Sequence, residues 1–432
     1  MPPYDVAIIG AGVTGTALAH VLTRYTDVAS VALVERYAAV AQVNSKSTAN
    51  SQTLHFGDIE TNYTPEKARR VAQAASRVAR YLERTRAAGI GQVCPKMVLG
   101  VGADEVALLK RRHEALKPVF PGLVLLDRDG VAAAEPAVVE ERDPAVPLAA
   151  LKAPDGPAVD FGLLSGSFLE DARATAKRVD VSLGRRVGAV ERRGGLFRLE
   201  PQGIEARTVV AAAGAMSLLF AHRLGYGRDF AILPVAGDFY VAPRSLKGKV
   251  YTVQDDSLPF AAVHGDPDLS DPKITRFGPT ARVLPLLERG DLGSFWGFLQ
   301  STRFDPLLAL RAAGLLADPA VRGFALRNAL YTVPVLGARA FAAEARKIVP
   351  GLAAGDLRPA PWPGGIRPQL IDRRTGRLEL GEAKLEGDRI LFDVTPSPGA
   401  SVCLKSAEDD ARVLAGWLGK AFDEKSFERD CS

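Results

Sequence analysis

Cysteine, histidine and long apolar runs are scarce in this sequence. The three cysteines, Cys94, Cys403 and Cys431, are too far apart in the 432-residue chain to form a CxxC motif or a disulfide framework, so we expect a reducing compartment. The cysteines and the five histidines never occur together at the spacing of metal ligands, so no metal site is predicted. The absence of an apolar run of about 18 residues and of a signal-peptide pattern predicts a cytoplasmic protein without a membrane-spanning helix.

Charge is distributed unevenly along the chain. The formal net charge is +5, and the segment from Arg276 to Lys347 contains ten basic and five acidic residues, an excess as large as that of the whole chain. This segment is also rich in leucine, phenylalanine and alanine, whereas a nucleic-acid site more often clusters lysine and arginine among fewer bulky apolar residues. We therefore expect no nucleic-acid partner. Hydrophobic residues make up 47% and charged residues 24% of the chain, as in a globular protein of about two or three domains.

The first 35 residues have the pattern of a dinucleotide-binding unit. The β-branched apolar run Tyr4 to Ile9 predicts a buried parallel strand, and GAGVTG (residues 10–15) follows it directly. In a GxGxxG turn the first glycine allows the sharp turn, the second lets the backbone approach a pyrophosphate, and the third lets the next helix pack on the sheet. The N–H groups at the start of that helix attract phosphate.

Glu35 supports the same interpretation. It follows a second predicted strand, Ser30 to Val34, and it lies 20 residues after Gly15, where a carboxylate accepts hydrogen bonds from the ribose hydroxyls of adenosine. An acidic residue at this point disfavours NADP. FAD is favoured over NAD because the fingerprint begins at residue 5, a further nucleotide-domain strand from Thr208 to Gly214 ends in small residues, and no second GxGxxG with an acidic partner occurs.

A polar loop follows Glu35. Residues 44–55, NSKSTANSQTLH, carry so many hydroxyl and amide groups that they predict a loop between regular elements. Its position favours a loop that wraps a polar cofactor, with a solvated linker as the alternative. His55 ends the loop, and a long helix from Glu66 to Ala88 is predicted after it, with Thr64 as N-cap and Pro65 in the first turn.

Together with the fingerprint, SQTLHFGDIETNYTP (residues 51–65) resembles the malate:quinone oxidoreductase family of D-amino-acid-oxidase-like flavoproteins, and the resemblance covers nearly the whole chain. Two later runs, LPFAAVH (258–264) and FGP (277–279), are similar to this family and to the related L-2-hydroxyglutarate dehydrogenase/oxidase family, and SPGA (397–400) resembles a turn of the malate:quinone family. The typical long-chain members of the malate:quinone family are larger than this chain and have a different glycine-rich loop before their histidine. The hydroxy acid therefore stays open between malate and 2-hydroxyglutarate.

The resemblance implies an α/β fold, in which a Rossmann-type FAD-binding domain carries an inserted α+β substrate domain built on a mostly antiparallel sheet. We expect the FAD-binding domain to comprise residues 1–85, 150–228 and 355–432. The substrate domain would comprise residues 86–149 and 229–354.

The implied activity is FAD-dependent oxidation of a 2-hydroxy acid, with electrons passed to a quinone. The first choice of reaction is (S)-malate to oxaloacetate, a step of the tricarboxylic acid cycle. Arg367, which follows the turn 363–365, would hold the substrate carboxylate with its guanidinium fork. His264 is the first choice for the base that takes the hydroxyl proton and His55 is the second, because histidine titrates near neutral pH.

Further contacts to substrate and cofactor are expected in the same motifs. Tyr63 or Lys46 would bind the second carboxylate of malate, and Gln52 would also contact the substrate. FAD would bind without a covalent link, and the N–H groups of the turn at Gly399–Ser401 would stabilise negative charge on the reduced ring. The predicted cofactor-binding residues are Gly10, Gly12, Val13, Thr14, Gly15, Glu35, Arg36, Ser45, Ser47, Thr48, Ser51, Gln52, Thr53, Val187, Ala213, Gly214, Gly365, Arg367, Gly399, Ala400 and Ser401.

Transfer of electrons to a quinone would take place at a membrane. Residues 284–345 interleave aromatic and apolar residues with arginines, a pattern that indicates either an amphipathic surface on an anionic membrane or an ordinary helical covering of the second domain. The first interpretation predicts peripheral association with the inner face of the cytoplasmic membrane.

Two other functions stay open at this point. The wider superfamily includes amino-acid and amine oxidases, and a chain with these motifs could also bind FAD without catalysis, as an assembly or sensor module. Substrate-dependent bleaching of the flavin would distinguish the enzymes from the binding module.

Overall fold

The fold is built on three β-sheets with helices packed around them. A computed structural model describes residues 2–86, 89–254, 262–303, 306, 314, 317–333, 335–379, 383–395 and 399–431. The predicted runs at residues 258–264 and 397–400 therefore lie partly outside the described residues: Leu258 to Ala261 in the first, and Ser397 and Pro398 in the second.

The first sheet is the nucleotide-binding sheet expected from the sequence. Its strands are β1 (Tyr4–Ile9), β2 (Ser30–Val34), β6 (Arg178–Ser182), β7 (Ala189–Arg193), β8 (Leu196–Glu200), β9 (Ile204–Ala211), β19 (Ala383–Gly387) and β20 (Ile390–Val394). The order is β19-β20-β9-β1-β2-β6, with the β7–β8 hairpin attached to β9. β1 pairs in parallel with both β2 and β9, so it lies at the centre. Its apolar run is buried on both faces, as a β-branched sequence without alternation predicts.

Helices cover both faces of this sheet. They are α1 (Val13–Tyr25), α2 (Pro65–Thr85), α6 (Phe161–Arg173), α7 (Ser217–Arg223), α11 (Cys403–Leu418) and α12 (Glu424–Cys431). α1 packs against α6 and α11 over the β1 side chains Val6 and Ile8, while α7 packs on the opposite face over Ala7 and Ile9. The predicted start of α2 is confirmed, because the Thr64 hydroxyl accepts a hydrogen bond from the Lys67 N–H. The helix ends at Thr85, three residues before the predicted end.

The other two sheets are mainly antiparallel. The second has the order β15-β10-β17-β18, and the third has the order β16-β11-β14-β13-β12-β3-β5-β4. Their strands are β3 (Gly91–Val101), β4 (Val124–Leu126), β5 (Leu148–Val159), β10 (Phe230–Ala236), β11 (Tyr240–Pro243), β12 (Lys249–Thr252), β13 (His264–Pro267), β14 (Ile274–Gly278), β15 (Arg282–Val283), β16 (Arg358–Pro359), β17 (Ile366–Asp372) and β18 (Leu378–Glu379).

The chain between Phe230 and Val241 does not form one continuous strand. The chain leaves β10 after Ala236 and enters β11 at Tyr240, so it passes from the second sheet to the third. Gly237 makes the crossing: its N–H donates to the carbonyl oxygen of Gly365, and a Cβ at this position would lie 3.0 Å from Cβ of Pro279.

The remaining described helices lie beside the third sheet or in the segments that connect the sheets. They are α3 (Ala103–Leu116), α4 (Arg128–Ala134), α5 (Pro136–Val139), α8 (Ser294–Thr302), α9 (Pro319–Leu330) and α10 (Leu336–Ile348). α10 packs on β12 and β13. Its Phe341 is fully buried and stacks on Tyr240 with ring centroids 4.5 Å apart, so it belongs to the core and not to the predicted membrane-facing surface.

The division into a FAD-binding domain and a substrate domain stays a prediction. Sheet membership agrees with it at the N-terminus, where β1 and β2 belong to the first sheet. The predicted boundary at residue 150 lies inside β5, which pairs with β3 and β4 in the third sheet. A division by sheets would therefore place that boundary after Val159.

The turn before β17 provides a test of the fold. A Cβ on Gly364 would overlap the carbonyl oxygen of Gly237, whereas a Cβ on Gly355 would meet nothing within 4 Å. We expect Gly364→Ala to destabilise the protein by about 1–3 kcal/mol, as in overpacked cores, and Gly355→Ala to leave the stability within about 0.5 kcal/mol of wild type. Thermal unfolding of the two variants makes the comparison. Equal midpoints would contradict the close approach of these two turns.

Candidate active site

A cavity of about 420 Å³ lies at the carboxyl ends of β1, β2 and β9. The turn after β1, the end of β2, the polar loop, the start of β17 and the turn before α11 all contribute to its walls. Ligands of open α/β sheets bind outside the carboxyl ends of the strands, so this is the position at which the fingerprint would hold a nucleotide. We call it the large cavity.

The nucleotide end of the large cavity agrees with the predicted roles of the fingerprint. Gly10 has φ of +105°, and a Cβ there would lie 2.5 Å from the carbonyl oxygen of Ala212. Gly12 faces Ser45, whose hydroxyl accepts a hydrogen bond from the Val13 N–H at 3.0 Å. Gly15 does not line the cavity; a Cβ there would overlap the carbonyl oxygen of Gly10, so it serves the close packing of α1.

Glu35 is held rigidly at the end of β2. Its carboxylate accepts hydrogen bonds from the Ala11 N–H at 2.8 Å and from the Tyr37 N–H at 2.9 Å, and it lines the large cavity. Arg36 also lines the cavity, but its guanidinium pairs with the carboxylates of Glu288 and Asp291, so it is engaged within the protein. The acidic side chain at the nucleotide end is therefore fixed in place before any ligand binds.

The polar loop divides into residues that face the large cavity and residues that do not. Ser45, Ser51 and Thr53 line it, as predicted. Ser47 and Thr48, the first two residues of a short 3₁₀ helix (Ser47–Ala49), do not line it, whereas Ala49 at the end of that helix does. Gln52 does not line the large cavity either: its side chain is buried and accepts a hydrogen bond from the Leu269 N–H at 3.1 Å, so it ties the loop to the segment after β13.

His55 is the histidine on the wall of the large cavity. Its Nδ1 lies 2.6 Å from Oε1 of Glu60, and its backbone N–H donates to the Ser401 hydroxyl at 2.9 Å. Burial by itself raises the pKa of Glu60, but the hydrogen bond and charge of His55, together with Lys96, hold that pKa below its usual value. An ionised Glu60 therefore orients the ring and leaves Nε2 for a ligand.

His264, the first choice for the base, lies behind the cavity wall. It is 3% exposed and does not line the large cavity. Its Nδ1 is 2.7 Å from the Asp266 carboxylate, and its ring packs on Tyr251 with centroids 4.7 Å apart. Burial lowers the pKa of His264, although Asp266 opposes this effect. The structure thus brings His55, and not His264, to the cavity, because Tyr251 and Thr53 lie between the two histidines. The hydroxyl groups of Tyr251 and Thr53 are joined by a 2.6 Å hydrogen bond.

A buried lysine supports the loop from the same side. Lys249 is 2% exposed, lies 3.4 Å from Asp266 and donates a 2.7 Å hydrogen bond to the carbonyl oxygen of Ser51. Burial lowers the pKa of Lys249, and Asp266 acts in the opposite direction. Burial likewise raises the pKa of Asp266, but His264 and Lys249 outweigh it and keep the carboxylate ionised. His264, Asp266 and Lys249 together hold the polar loop in position from behind.

Arg367 lies on the cavity wall with an unpaired charge. Its Nη1 is buried without a hydrogen-bond partner, and no carboxylate pairs with the guanidinium among the described residues. Loss of solvation lowers the pKa of Arg367 to about 10, so it stays protonated at neutral pH. Arg367 is partly exposed on the cavity wall, but a buried guanidinium nitrogen without a partner is costly, and an anionic ligand would remove that cost.

Asn44 fixes the strand that carries Arg367. Its side-chain amide donates to the carbonyl oxygen of Ile366 at 2.8 Å and its amide oxygen accepts from the Ile366 N–H at 3.0 Å. The Gly365 N–H donates to the carbonyl oxygen of Ala49 at 3.0 Å. These bonds join the polar loop to β17, and the sequence analysis missed Asn44 because its partner is more than 300 residues away.

The remaining predicted residues divide in the same way. Thr14, Val187, Ala213, Gly214, Gly365, Gly399, Ala400 and Ser401 line the large cavity. Tyr63 does not: it is buried in a cluster with Ile59 and Ala68, because the helix that follows covers it. Lys46 is exposed and faces a second, smaller cavity. Cavity residues that the sequence did not reveal are Arg185, Arg186, Arg223, Phe239 and Asp393.

The large cavity fits an extended dinucleotide that carries a ring system at one end. The Gly10 and Gly12 turn admits phosphates, Glu35 is placed for ribose hydroxyls, and the His55, Arg367 and Ser401 end has the polar groups for a reacting centre. Among the residues that the structure describes, no group of three or more histidine, cysteine, aspartate or glutamate side chains is arranged to hold a metal ion.

The sequence profile described as Malate:quinone oxidoreductase (Mqo) matches residues 3–409. This chain belongs to the malate:quinone oxidoreductase family. It is 40% identical over 438 residues to a probable malate:quinone oxidoreductase of Campylobacter jejuni, covering 98% of each chain. It is 37% identical over 442 residues to the malate:quinone oxidoreductase of Helicobacter pylori strain 26695, covering 99% of this chain and 98% of the relative. The resemblance found in the sequence is confirmed, and so is the enzyme class, an oxidoreductase.

The fold also resembles solved flavoproteins. L-α-glycerophosphate oxidase from Mycoplasma pneumoniae, solved with FAD bound, aligns with a TM-score of 0.66 at 20% identity, over 96% of this chain and 95% of that one. The predicted fold class is confirmed by this similarity. Within the part of the chain that the structure covers, we find no helix with the length and hydropathy of a bilayer span.

Proposed function

We propose that this protein oxidises (S)-malate to oxaloacetate with a non-covalently bound FAD and passes the electrons to a membrane quinone. Family membership supports malate over 2-hydroxyglutarate, over amino acids and over a binding function without catalysis. The observation that carries the proposal is the unpaired Arg367 cation, which shares one cavity wall with the His55–Glu60 pair.

FAD, when bound, supplies the acceptor for the hydride from C2 of malate. Gly10, Gly12, Ser45 and Glu35 would hold its nucleotide part, and the turn at Gly399–Ser401 would face its ring. The protein residues bind and orient the substrate and receive its proton. Neither substrate binding nor proton transfer by these residues requires a metal ion.

Arg367 and His55 divide the work on the substrate. The guanidinium fork of Arg367 binds one carboxylate through two parallel N–H···O bonds and fixes the direction of the C2–H bond. His55 Nε2 takes the hydroxyl proton as the hydride leaves, and Glu60 stabilises the resulting imidazolium through Nδ1. The Ser401 hydroxyl, which accepts the His55 N–H, keeps the backbone of this residue in place.

The role of Arg367 predicts a large effect on substrate binding. We expect Arg367→Ala to retain FAD and to raise the concentration of malate that gives half-maximal flavin bleaching by about a hundredfold or more, the scale of a truncated buried ion pair. Arg367→Lys keeps the charge but loses the fork, so it should give a smaller loss. Because the pKa of Arg367 is lowered to about 10, malate binding to the wild type should weaken as the pH rises through about 10.

Anaerobic mixing with L-malate, L-2-hydroxyglutarate and several amino acids, followed by flavin absorbance, makes these measurements. Arg374→Ala is the matched control, since this arginine lies in the turn after β17 and its side chain is 72% exposed. Wild-type bleaching in Arg367→Ala would remove the residue from the mechanism. Bleaching by an amino acid but not by malate would overturn the assignment of malate as the substrate.

His55 and Glu60 predict a pH-dependent effect on the rate. His55→Asn should lower kcat/KM by about 10²–10⁴, the usual contribution of a general base. Glu60→Gln removes the ionised carboxylate that stabilises the protonated ring, so kcat/KM should fall and should no longer depend on the protonation of Glu60 at low pH. His113→Asn is the control, because that ring contacts only the Leu123 carbonyl oxygen outside the site. An unchanged rate in His55→Asn would assign the proton to another group.

An apolar surface supports the membrane part of the proposal. Between residues 283 and 336, exposed arginines (Arg303 and Arg327 among them) accompany exposed apolar side chains on β15, α8, α9 and the start of α10. A positive and apolar surface of this kind suits the headgroup region of an anionic bilayer. The exposed apolar residues, here called the apolar surface, are Val283, Leu292, Phe295, Trp296, Leu326, Leu330, Val333, Val335 and Leu336. Leu307, Leu308, Leu315 and Leu316, which belong to the predicted segment 284–345, lie outside the described residues.

The apolar surface predicts the outcome of a vesicle-binding experiment. Leu292→Glu combined with Trp296→Glu should reduce the fraction of protein that sediments with vesicles of anionic phospholipid about tenfold or more, and 1 M salt should release the wild type in part. Val93→Glu is the control, because Val93 is 78% exposed on β3 outside this surface. Equal sedimentation of all three proteins would contradict the assignment.

A further inference from the structure

A second cavity of about 180 Å³ lies beside the large one. Its walls come from the segment after β2, the 3₁₀ helix of the polar loop, the loop before α8 and the turn before β17. Tyr37, Gln42, Val43, Ala49, Glu288 and Gly365 line both cavities. Lys46, Thr48, Arg289, Pro363 and Gly364 line the small one and not the large one.

Backbone makes up part of the wall between the two cavities. Ala49 and Gly365 form this part of the wall, and the Gly365 N–H donates a hydrogen bond to the Ala49 carbonyl oxygen at 3.0 Å. A Cβ on Gly365 would lie 2.8 Å from that oxygen and 3.0 Å from the Asn44 side chain, so no larger residue fits without a shift. A planar molecule in the small cavity would therefore be separated from the large cavity at this point by a single layer of backbone.

The small cavity offers donors to a neutral ligand that has carbonyl oxygens. Gln42, Lys46 and Thr48 can each donate a hydrogen bond, and Tyr37 and Pro363 provide flat apolar contacts. Arg289 is held by both oxygens of Asp238 at 2.9 Å, and Glu288 pairs with Arg36, so these charges are already compensated. Such a lining offers both hydrogen-bond donors and apolar contacts to a ring with carbonyl acceptors.

One stretch of chain joins the small cavity to the apolar surface. Glu288 and Arg289 line the cavity, while Leu292, Phe295 and Trp296 follow within seven residues and are exposed. The exposed fractions are 80% for Leu292 and 65% for Trp296. An apolar tail attached to a ring in the cavity would meet these side chains at the protein surface.

We propose that the small cavity is the binding site for the quinone headgroup, with the isoprenoid tail leaving along the apolar surface. This proposal rests on the proposed function. The reaction balances without a further oxidant: malate loses two electrons and two protons to become oxaloacetate, and the quinone gains two electrons and two protons to become the quinol.

The two half-reactions separate this proposal from the proposed function. Thr48→Trp adds bulk to the small cavity from a residue that does not line the large one, and the rate at which malate reduces the FAD-loaded enzyme is measured first in each variant as the reference. Reoxidation by a benzoquinone with one isoprene unit should slow at least tenfold, while reoxidation by ferricyanide should not. Thr375→Trp in the exposed turn between β17 and β18 is the control for added bulk.

Direct binding gives a second readout that does not need turnover. The dissociation constant of the same benzoquinone, measured by calorimetry on the oxidised holoenzyme, should rise at least tenfold in Thr48→Trp and at least threefold in Lys46→Met, which removes an exposed donor with little risk to folding. Wild-type quinone affinity in Lys46→Met together with wild-type reoxidation in Thr48→Trp would overturn the proposal. If Thr48→Trp does not fold, an unchanged affinity in Lys46→Met alone overturns it. Failure of malate to reduce the wild type would instead count against the proposed function.

Discussion

The site depends on one uncompensated charge. Arg367 carries its guanidinium on the wall of the large cavity, partly exposed, with its Nη1 buried and unpaired. Such a group is stable only where the backbone around it is rigid and where a bound anion compensates its positive charge. Antiparallel pairing of Val235 with Arg367, the two hydrogen bonds from Asn44 and the contact of Gly364 with Gly237 provide that rigidity.

The same arrangement explains why the polar loop needs support from the third sheet. The loop carries His55 at one end and Asn44 at the other, so both the base and the clamp on β17 move if the loop moves. Lys249 bonds the Ser51 carbonyl oxygen from behind, and Ser401 bonds the His55 N–H from the turn before α11. Three parts of the chain that are distant in sequence therefore fix one wall, and a shift in any of them would change the distance between base and carboxylate site.

Local sequence predicted the nucleotide end and only part of the reacting end. Glu35 and the glycines of the first turn could be assigned because strand, turn and helix follow one another and each has one physical role. The choice between the two histidines could not be made from local sequence, because it depends on Tyr251, which the pairing of β12 with β13 places beside His264. Tyr63 and Gln52 lie away from the large cavity because the following helix covers Tyr63 and because Gln52 bonds the Leu269 N–H. Asn44 was missed, since a hydrogen bond across more than 300 residues leaves no local pattern.

The most direct test of the account is a structure of the holoenzyme with FAD and malonate, a dicarboxylate that cannot be oxidised. The account predicts a carboxylate of malonate within about 2.7–2.9 Å of two guanidinium nitrogens of Arg367, with His55 Nε2 facing the position that the hydroxyl of malate would occupy. Malonate bound elsewhere in the cavity, with Arg367 paired to a protein carboxylate, would contradict it.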